Sequence, residues 1–231
     1  MTTFIDRYNK PNFIHVPVDI PKLKRRTVKG IRYYYVPDKN KTHKLFSITS
    51  VTSYHQKEVI ASWRKRVGEE EANRISKKSA GRGTGTHKLI ENYLYNKPLP
   101  QVKPISNFLF NISKKELNKI NKIYCLERAM YSISLGVAGT VDCIGDYDEE
   151  LAVIDFKTSA EPKKREWIEH YFVQAAAYAV MFYERTGLLV KKLVILMACE
   201  NGVCVSYVEY DIIKYVELLK QYIQDFKTSL A

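Results

Sequence analysis

Two aspartates and a lysine stand where a strand interior calls for apolar side chains. In the stretch Gly139–Ser159, GTVDCIGDYDEELAVIDFKTS, the runs VDCIGDY and LAVIDF carry Asp142 and Asp155, and Lys157 follows just beyond. Alternation along a strand puts Asp155 and Lys157 on one face and Phe156 on the other. A turn centred on Asp148–Glu149 sets Tyr147 against Glu150 and Asp146 against Leu151. Counting on brings Asp142 opposite Asp155, with Cβ atoms about 4.5–5.5 Å apart. Carboxylates that close must share a proton, clasp Lys157 in an ion network, or hold a divalent cation. Both runs are otherwise apolar, so bare charges would be half-buried at high desolvation cost, a difficulty that a hard cation removes. Phosphodiester hydrolysis uses such a set: metal to polarise the phosphoryl group and activate water, and an ammonium to stabilise the added charge.

The elements that must position these residues follow from pattern. Residues 1–30 are basic and proline-punctuated and read as an arm draped over the surface. IRYYYV and KLFSITS read as a hairpin around the turn-rich PDKNKTH. A helical segment spans 50–80, opened by hydroxyl residues and broken at Gly68. GRGTGT then leads into a short helix, HKLIENYLYN, that Pro98 ends. Residues 105–122 read as a helix, IYCLERAMYSI as a strand, and the aspartate hairpin follows. KKREWIEHYFVQAAAYAVMFYERTG is a long helix closed by Gly187. LVKKLVILMACE and VCVSYVEY are strands joined by Asn-Gly, and Asp211 caps a last amphipathic helix. The order predicts a mixed sheet flanked by helices, divided into residues 1–80 (arm, hairpin and helical cover) and 81–231 (core), in one compact unit.

The 231 residues are 45% hydrophobic, enough for one sizeable core. A net charge of +12 points to a polyanionic partner, nucleic acid first, and the 17 tyrosines suit stacking with the bases of single strands. Cys125, Cys143, Cys199 and Cys204 form no CxxC pair and have no zinc-finger histidine spacing, so a reducing compartment fits. No run approaches the ~20 apolar residues that cross a bilayer, and the N-terminus has no signal-peptide core. These features lead to the expectation of a cytoplasmic monomer without a membrane partner.

GTVD followed by DFKTS resembles motifs II and III of the RecB-like branch of the PD-(D/E)xK nucleases. GRGTGTHKLIENYL resembles that branch's histidine motif and QAAAY its QxxxY helix motif, all in the family's order over residues 30–185. The SVT before the first helix, Glu127 and IDFKTSAEPK bring the chain nearest to the mitochondrial genome maintenance exonucleases and their phage-encoded relatives. The resemblance implies a restriction-endonuclease-like core. It implies Mg2+ or Mn2+ held by Asp142, Asp155, the Phe156 carbonyl and His87, with Lys157 positioning the attacking water or the scissile phosphate. Some RecB-type nucleases carry an iron–sulfur cluster on four cysteines; the spacing here does not match it.

Around that set, Glu91 is either a partner holding the imidazole or a solvated helix residue. Gln174 and Tyr178 share a helix face and either contact phosphate or, for Tyr178, belong to the core. Glu127 either reaches the site face or pairs with Arg128 or Lys122. The basic segments Lys22–Arg26 (with Lys24, Arg25 and Arg26), Arg64–Arg66 and Lys77–Arg82 (with Lys77, Lys78 and Arg82) are candidate backbone clamps. In the family such a helical roof admits single strands with a free end. The expectation is a metal-dependent DNA exonuclease working beside replication, repair or recombination proteins. The alternatives are a duplex-resecting phage recombination exonuclease and a DNA-binding protein without catalysis.

Overall fold

In the computed structural model, residues 12–38 and 41–230 are described. Nine strands among them form one mixed sheet: β1 (Ile14–His15), β2 (Lys24–Val28), β3 (Ile31–Asp38), β4 (Lys41–Ser47), β5 (Ile120–Ser132), β6 (Val137–Tyr147), β7 (Glu150–Ser159), β8 (Lys192–Cys199) and β9 (Cys204–Glu209). Six α-helices flank it: α1 (Ile48–His55), α2 (Lys57–Val67), α3 (Glu69–Leu94), α4 (Pro104–Leu117), α5 (Glu169–Thr186) and α6 (Ile212–Thr228). One core lies under α1, α5 and α6, where Ile48, Phe172, Phe182 and Leu219 meet Val141, Val153 and Ile195. A second lies under α3 and α4, where Leu89, Leu94 and Phe110 meet Cys143, Ile154 and Phe156. Helices of this kind bury one stripe against the sheet and leave the other face to solvent. No helix among the described residues is long and apolar enough to cross a membrane.

The hairpin β6–β7 forms in the register that the turn count predicts, with Tyr147 opposite Glu150 and Asp146 opposite Leu151. Asp148 and Glu149 both take positive φ, 46° and 65°, as a two-residue turn that matches the strand twist requires. β6 is paired along one edge by β5. Its other edge is divided: β4 runs parallel to it at Phe46–Val137 and Ser47–Ala138, and β7 pairs with it from Cys143–Ile154 onward. Residues 139–142 therefore sit in a split between β4 and β7. The split is where the sheet opens.

Four expectations are corrected. Of the arm expected over residues 1–30, residues 1–11 lie outside the described residues, and the rest is tied into the sheet: β1 pairs with β5 and β2 with β3, and Phe13 packs edge-on against Tyr93. The second run of the first hairpin ends at Ser47, and Ile48 already begins α1, which packs against α5. The helix expected over 105–122 stops at Leu117, because Ile120 joins the sheet opposite Tyr147 and that pairing outweighs the local helical pattern. The glycine-rich GRGTGT is no lead-in loop; α3 runs through it without a break, crossing residue 80. Glycine is a poor helix former, but a Cβ at Gly85 would collide with the side chain of Ser106. The close approach of α3 to the first turn of α4 explains why this helix needs glycine there.

Candidate active site

At the split, the backbone of Phe156 is held from both sides. Its N–H donates to Asp142 Oδ2 at 2.9 Å, and its carbonyl accepts from His87 Nε2 at 2.9 Å. The first bond replaces the ladder that β6 and β7 abandon before Cys143–Ile154. The second docks α3 on β7, so a histidine from one layer reaches the strand that carries Asp155 and Lys157. The other ring nitrogen, Nδ1, faces two carboxylates, Glu127 Oε1 at 3.8 Å and Asp142 Oδ2 at 3.9 Å.

Glu127 arrives there by backbone geometry. β5 keeps one register against β6 on both sides of it, Leu126 with Cys143 and Arg128 with Val141, so Glu127 lies opposite Asp142. Its φ of 49° is rare for a side chain larger than glycine and turns the carboxylate out of the ladder. Continuing the registers across three strands puts Glu127, Asp142 and Asp155 in one row. One ligand atom each of His87, Glu127 and Asp142 lies within 4.8 Å of the others. Sequence pattern alone leaves Glu127 in a supporting place, because alternation does not mark the left-handed backbone that brings it inward.

Asp155 is 3% exposed, and Lys157 forms an ion pair with its Oδ2. That ammonium is the partner the described residues give the buried oxygen. Burial pushes the Asp155 pKa up to about 6, with Lys157 opposing and Asp142 adding to the rise. Burial also works against charge on Lys157, but Asp155 and Asp142 outweigh it and hold the ammonium above its ordinary value. For His87, burial favours the neutral ring, yet Asp142 and Glu127 prevail and the pKa rises to about 9. Three acids around one imidazole call for positive charge. A hard divalent cation fits this donor set of carboxylates and one imidazole.

An open cavity of about 450 Å3 adjoins the cluster, lined by Gly83, Thr84, His87, Lys88, Glu91 and Glu127. Glu91 lies on its wall with Lys88 Nζ at 3.7 Å, so its described partner is that lysine and not His87. On the other side, the ring of Tyr171, from the first turn of α5, lies 4.8 Å from Lys157 Nζ. Nothing in the motif pattern singles out Tyr171, although it precedes Gln174 by one helical turn.

Several expected contacts fall elsewhere. Tyr178 is 1% exposed, and its hydroxyl donates to the Thr140 carbonyl at 2.7 Å, so it belongs to the core and does not face a substrate. Burial, with Asp142 and Asp155 adding, keeps that hydroxyl protonated, and Gln174 approaches it from one turn away. Arg82 is 7% exposed, pairs with Glu200 and donates to Thr158 Oγ1, which takes it out of the exposed basic surface. Lys78 pairs with the same Glu200 at 3.2 Å, and Arg64 is tied to Glu69 and Asn73. Lys24, Arg25, Arg26, Arg66 and Lys77 are exposed. The four cysteines are free; Cys125 and Cys143 lie one register step apart on β5 and β6, and Cys199 and Cys204 likewise on β8 and β9.

No protein-family model and no curated protein matches this chain. Among solved structures, a crystal structure of an inferred exonuclease from Eubacterium rectale is similar at 13% identity and a TM-score of 0.44, over 63% of this chain and 63% of that one.

Proposed function

We propose that this chain is a divalent-metal-dependent deoxyribonuclease of the RecB-like type, an exonuclease that hydrolyses phosphodiesters near a free end and prefers single strands. The observation that carries the reading is the meeting of His87, Glu127 and Asp142 beside the buried Asp155–Lys157 pair. His87 Nδ1, Glu127, Asp142 and Asp155 would hold the ion, Mg2+ or Mn2+. When bound, such an ion polarises the phosphoryl oxygen and makes water acidic enough to attack at neutral pH. The Phe156 carbonyl accepts from His87 Nε2 with one lone pair, and its second lone pair would be the one offered to the ion.

The protein's own groups supply the rest. Lys157 remains an ammonium, and from its strand it can orient a water or pair with a non-bridging phosphate oxygen as charge gathers there. Asp155, buried and ion-paired to it, keeps that ammonium in place. The bonds at the Phe156 N–H and carbonyl fix Asp142 and His87 to one residue, so both move with β7 and hold their spacing. End-labelled linear DNA incubated with magnesium, manganese or chelator tests the reading. Cleavage that needs the ion and releases labelled products from an end is expected. Cleavage that persists in chelator, or none with any ion, overturns it.

A further inference from the structure

We infer that the turn entering α5 is a stacking platform for single-stranded nucleic acid at the mouth of the site, with Trp167 and Tyr171 as its rings. The inference rests on the nuclease reading above and names how the strand is held beside Lys157. Trp167 is 59% exposed on the 3-10 turn Arg165–Ile168. Its exposure does not come from a loose loop. Ile168 is fully buried, Tyr207 donates its hydroxyl to the Lys163 carbonyl at 2.6 Å, and Arg165 pairs with Glu209 at 2.5 Å while covering the Phe172 ring at 4.4 Å. A well-anchored turn thus presents an indole to solvent, where burial would normally be favourable.

The lysines arrange themselves around these rings. Lys164 Nζ lies 5.5 Å from the Trp167 ring, and Lys163 Nζ lies 5.8 Å from the ring of Tyr171, one helical turn on. The Tyr171 ring is half-buried against the core, with the His170 ring tilted against it at 4.1 Å, and faces Lys157 Nζ at 4.8 Å, so it backs the open Trp167 ring on the side of the ammonium of the site. Residues 160–171 carry Lys163, Lys164 and Arg165 against Glu161, Glu166 and Glu169, with no excess of positive charge. Arg165 is taken up by Glu209, and Glu169 acts on Tyr215 and Tyr222 of α6. The contact suited to this surface is therefore base on ring, with Lys163 and Lys164 beside it for phosphate. Stacking of this kind tolerates any sequence.

The chain has two tryptophans, Trp63 and Trp167, so Trp63→Phe leaves Trp167 as the sole indole reporter. In an Asp155→Asn background, which removes hydrolysis, titration with an oligo(dT) of about twenty nucleotides should quench that emission saturably. Trp167→Ala should weaken binding by roughly tenfold or more, and Trp167→Phe should recover much of it. In the hydrolysis-competent chain, Trp167→Ala should raise KM more than it lowers kcat. Binding without a change in Trp167 emission, or equal affinity in Trp167→Ala, overturns the platform while cleavage by the wild type leaves the nuclease reading standing. Quenching with no cleavage under any ion does the reverse. Failure of the oligonucleotide to bind at all overturns both.

Discussion

A Cβ on Gly139 would lie 2.6 Å from the hydroxyl of Tyr178, the group that donates to the Thr140 carbonyl in the split of the sheet. The glycine that leads the GTVD motif and the tyrosine of QAAAY are therefore one packing unit. Each position restricts the other.

Gly139→Ala should be destabilising by ~1–3 kcal/mol, the usual cost of overpacking, because Ile48 Cγ2 also stands 2.7 Å from the new methyl group. Tyr178→Phe should cost ~1–3 kcal/mol by leaving the Thr140 carbonyl without its donor. Denaturant titration of the single variants and of the double variant measures both. The double variant should lose less than the sum, since removing the hydroxyl relieves the shortest of the three close contacts. Strict additivity would mean that the two residues do not share the site.

The helix that delivers His87 offers a contrast between two of its glycines. A methyl group added at Gly81 would meet nothing within 4 Å, whereas one at Gly85 would strike Ser106 Oγ and lie 2.9 Å from Ser106 Cβ. Gly81→Ala should stabilise the fold by ~1 kcal/mol through helix propensity alone. Gly85→Ala should push α3 away from α4, lower the melting temperature and reduce activity, since His87 lies half a turn further along. Equal behaviour of the two variants in thermal denaturation would remove the packing explanation.

Much of this is legible in the sequence because the hairpin depends on local rules. Two turn residues, alternation and a fixed register are enough to set the pairing from Tyr147–Glu150 to Cys143–Ile154, one residue short of Asp142 and Asp155, where the ladder ends. The expected layers, the last strand pair and the Asp211 cap follow from equally local signals, and Asp211 does accept the Lys214 N–H at 3.1 Å. What escapes depends on contacts distant in the chain. GRGTGT reads as a loop until Ser106 is brought beside it. Tyr178 reads either as a phosphate contact or as core until the parting of β4 and β7 gives it a carbonyl to satisfy. Arg82 reads as a surface cation until Glu200, from the β8–β9 turn, meets it. Glu127 is legible as a residue that either reaches the site face or pairs with Arg128 or Lys122, but the left-handed φ that accompanies its place beside His87 and Asp142 is announced by no side-chain pattern.

Asp142→Asn, Asp155→Asn or Lys157→Ala should abolish cleavage, by several orders of magnitude, while DNA binding survives. Asp142 and Asp155 would lose charge toward the ion, and Asp142→Asn would also weaken the bond to the Phe156 N–H. Lys157→Ala leaves Asp155 buried without its counter-charge, so its stability should be checked beside its rate. Gel-based turnover and filter binding separate the two effects. Near-wild-type turnover in Lys157→Ala would remove the mechanism.

The proposed requirement for a free end concerns the helices before His87. α2 buries none of its residues and carries Arg64, Lys65 and Arg66 in its last turn, and α3 continues from it through Lys77 and Lys78. At 1.5 Å per residue, Lys77 lies only about 15 Å along the helix from His87, within reach of a few nucleotides of strand. If these helices cover the site, a strand has to be threaded beneath them, and a closed circle has no end to thread. Circular single-stranded DNA should then resist under conditions that consume the linear form, and opening the circle at one position should restore digestion. A stiff blunt duplex should be cut slowly, and a single-stranded tail should speed it up. Raising the salt should slow all of these, because phosphate contacts with exposed Lys and Arg release counterions. Circles degraded as fast as linear strands would make the protein an endonuclease, and the covering role assigned to α2 and α3 would have to be given up.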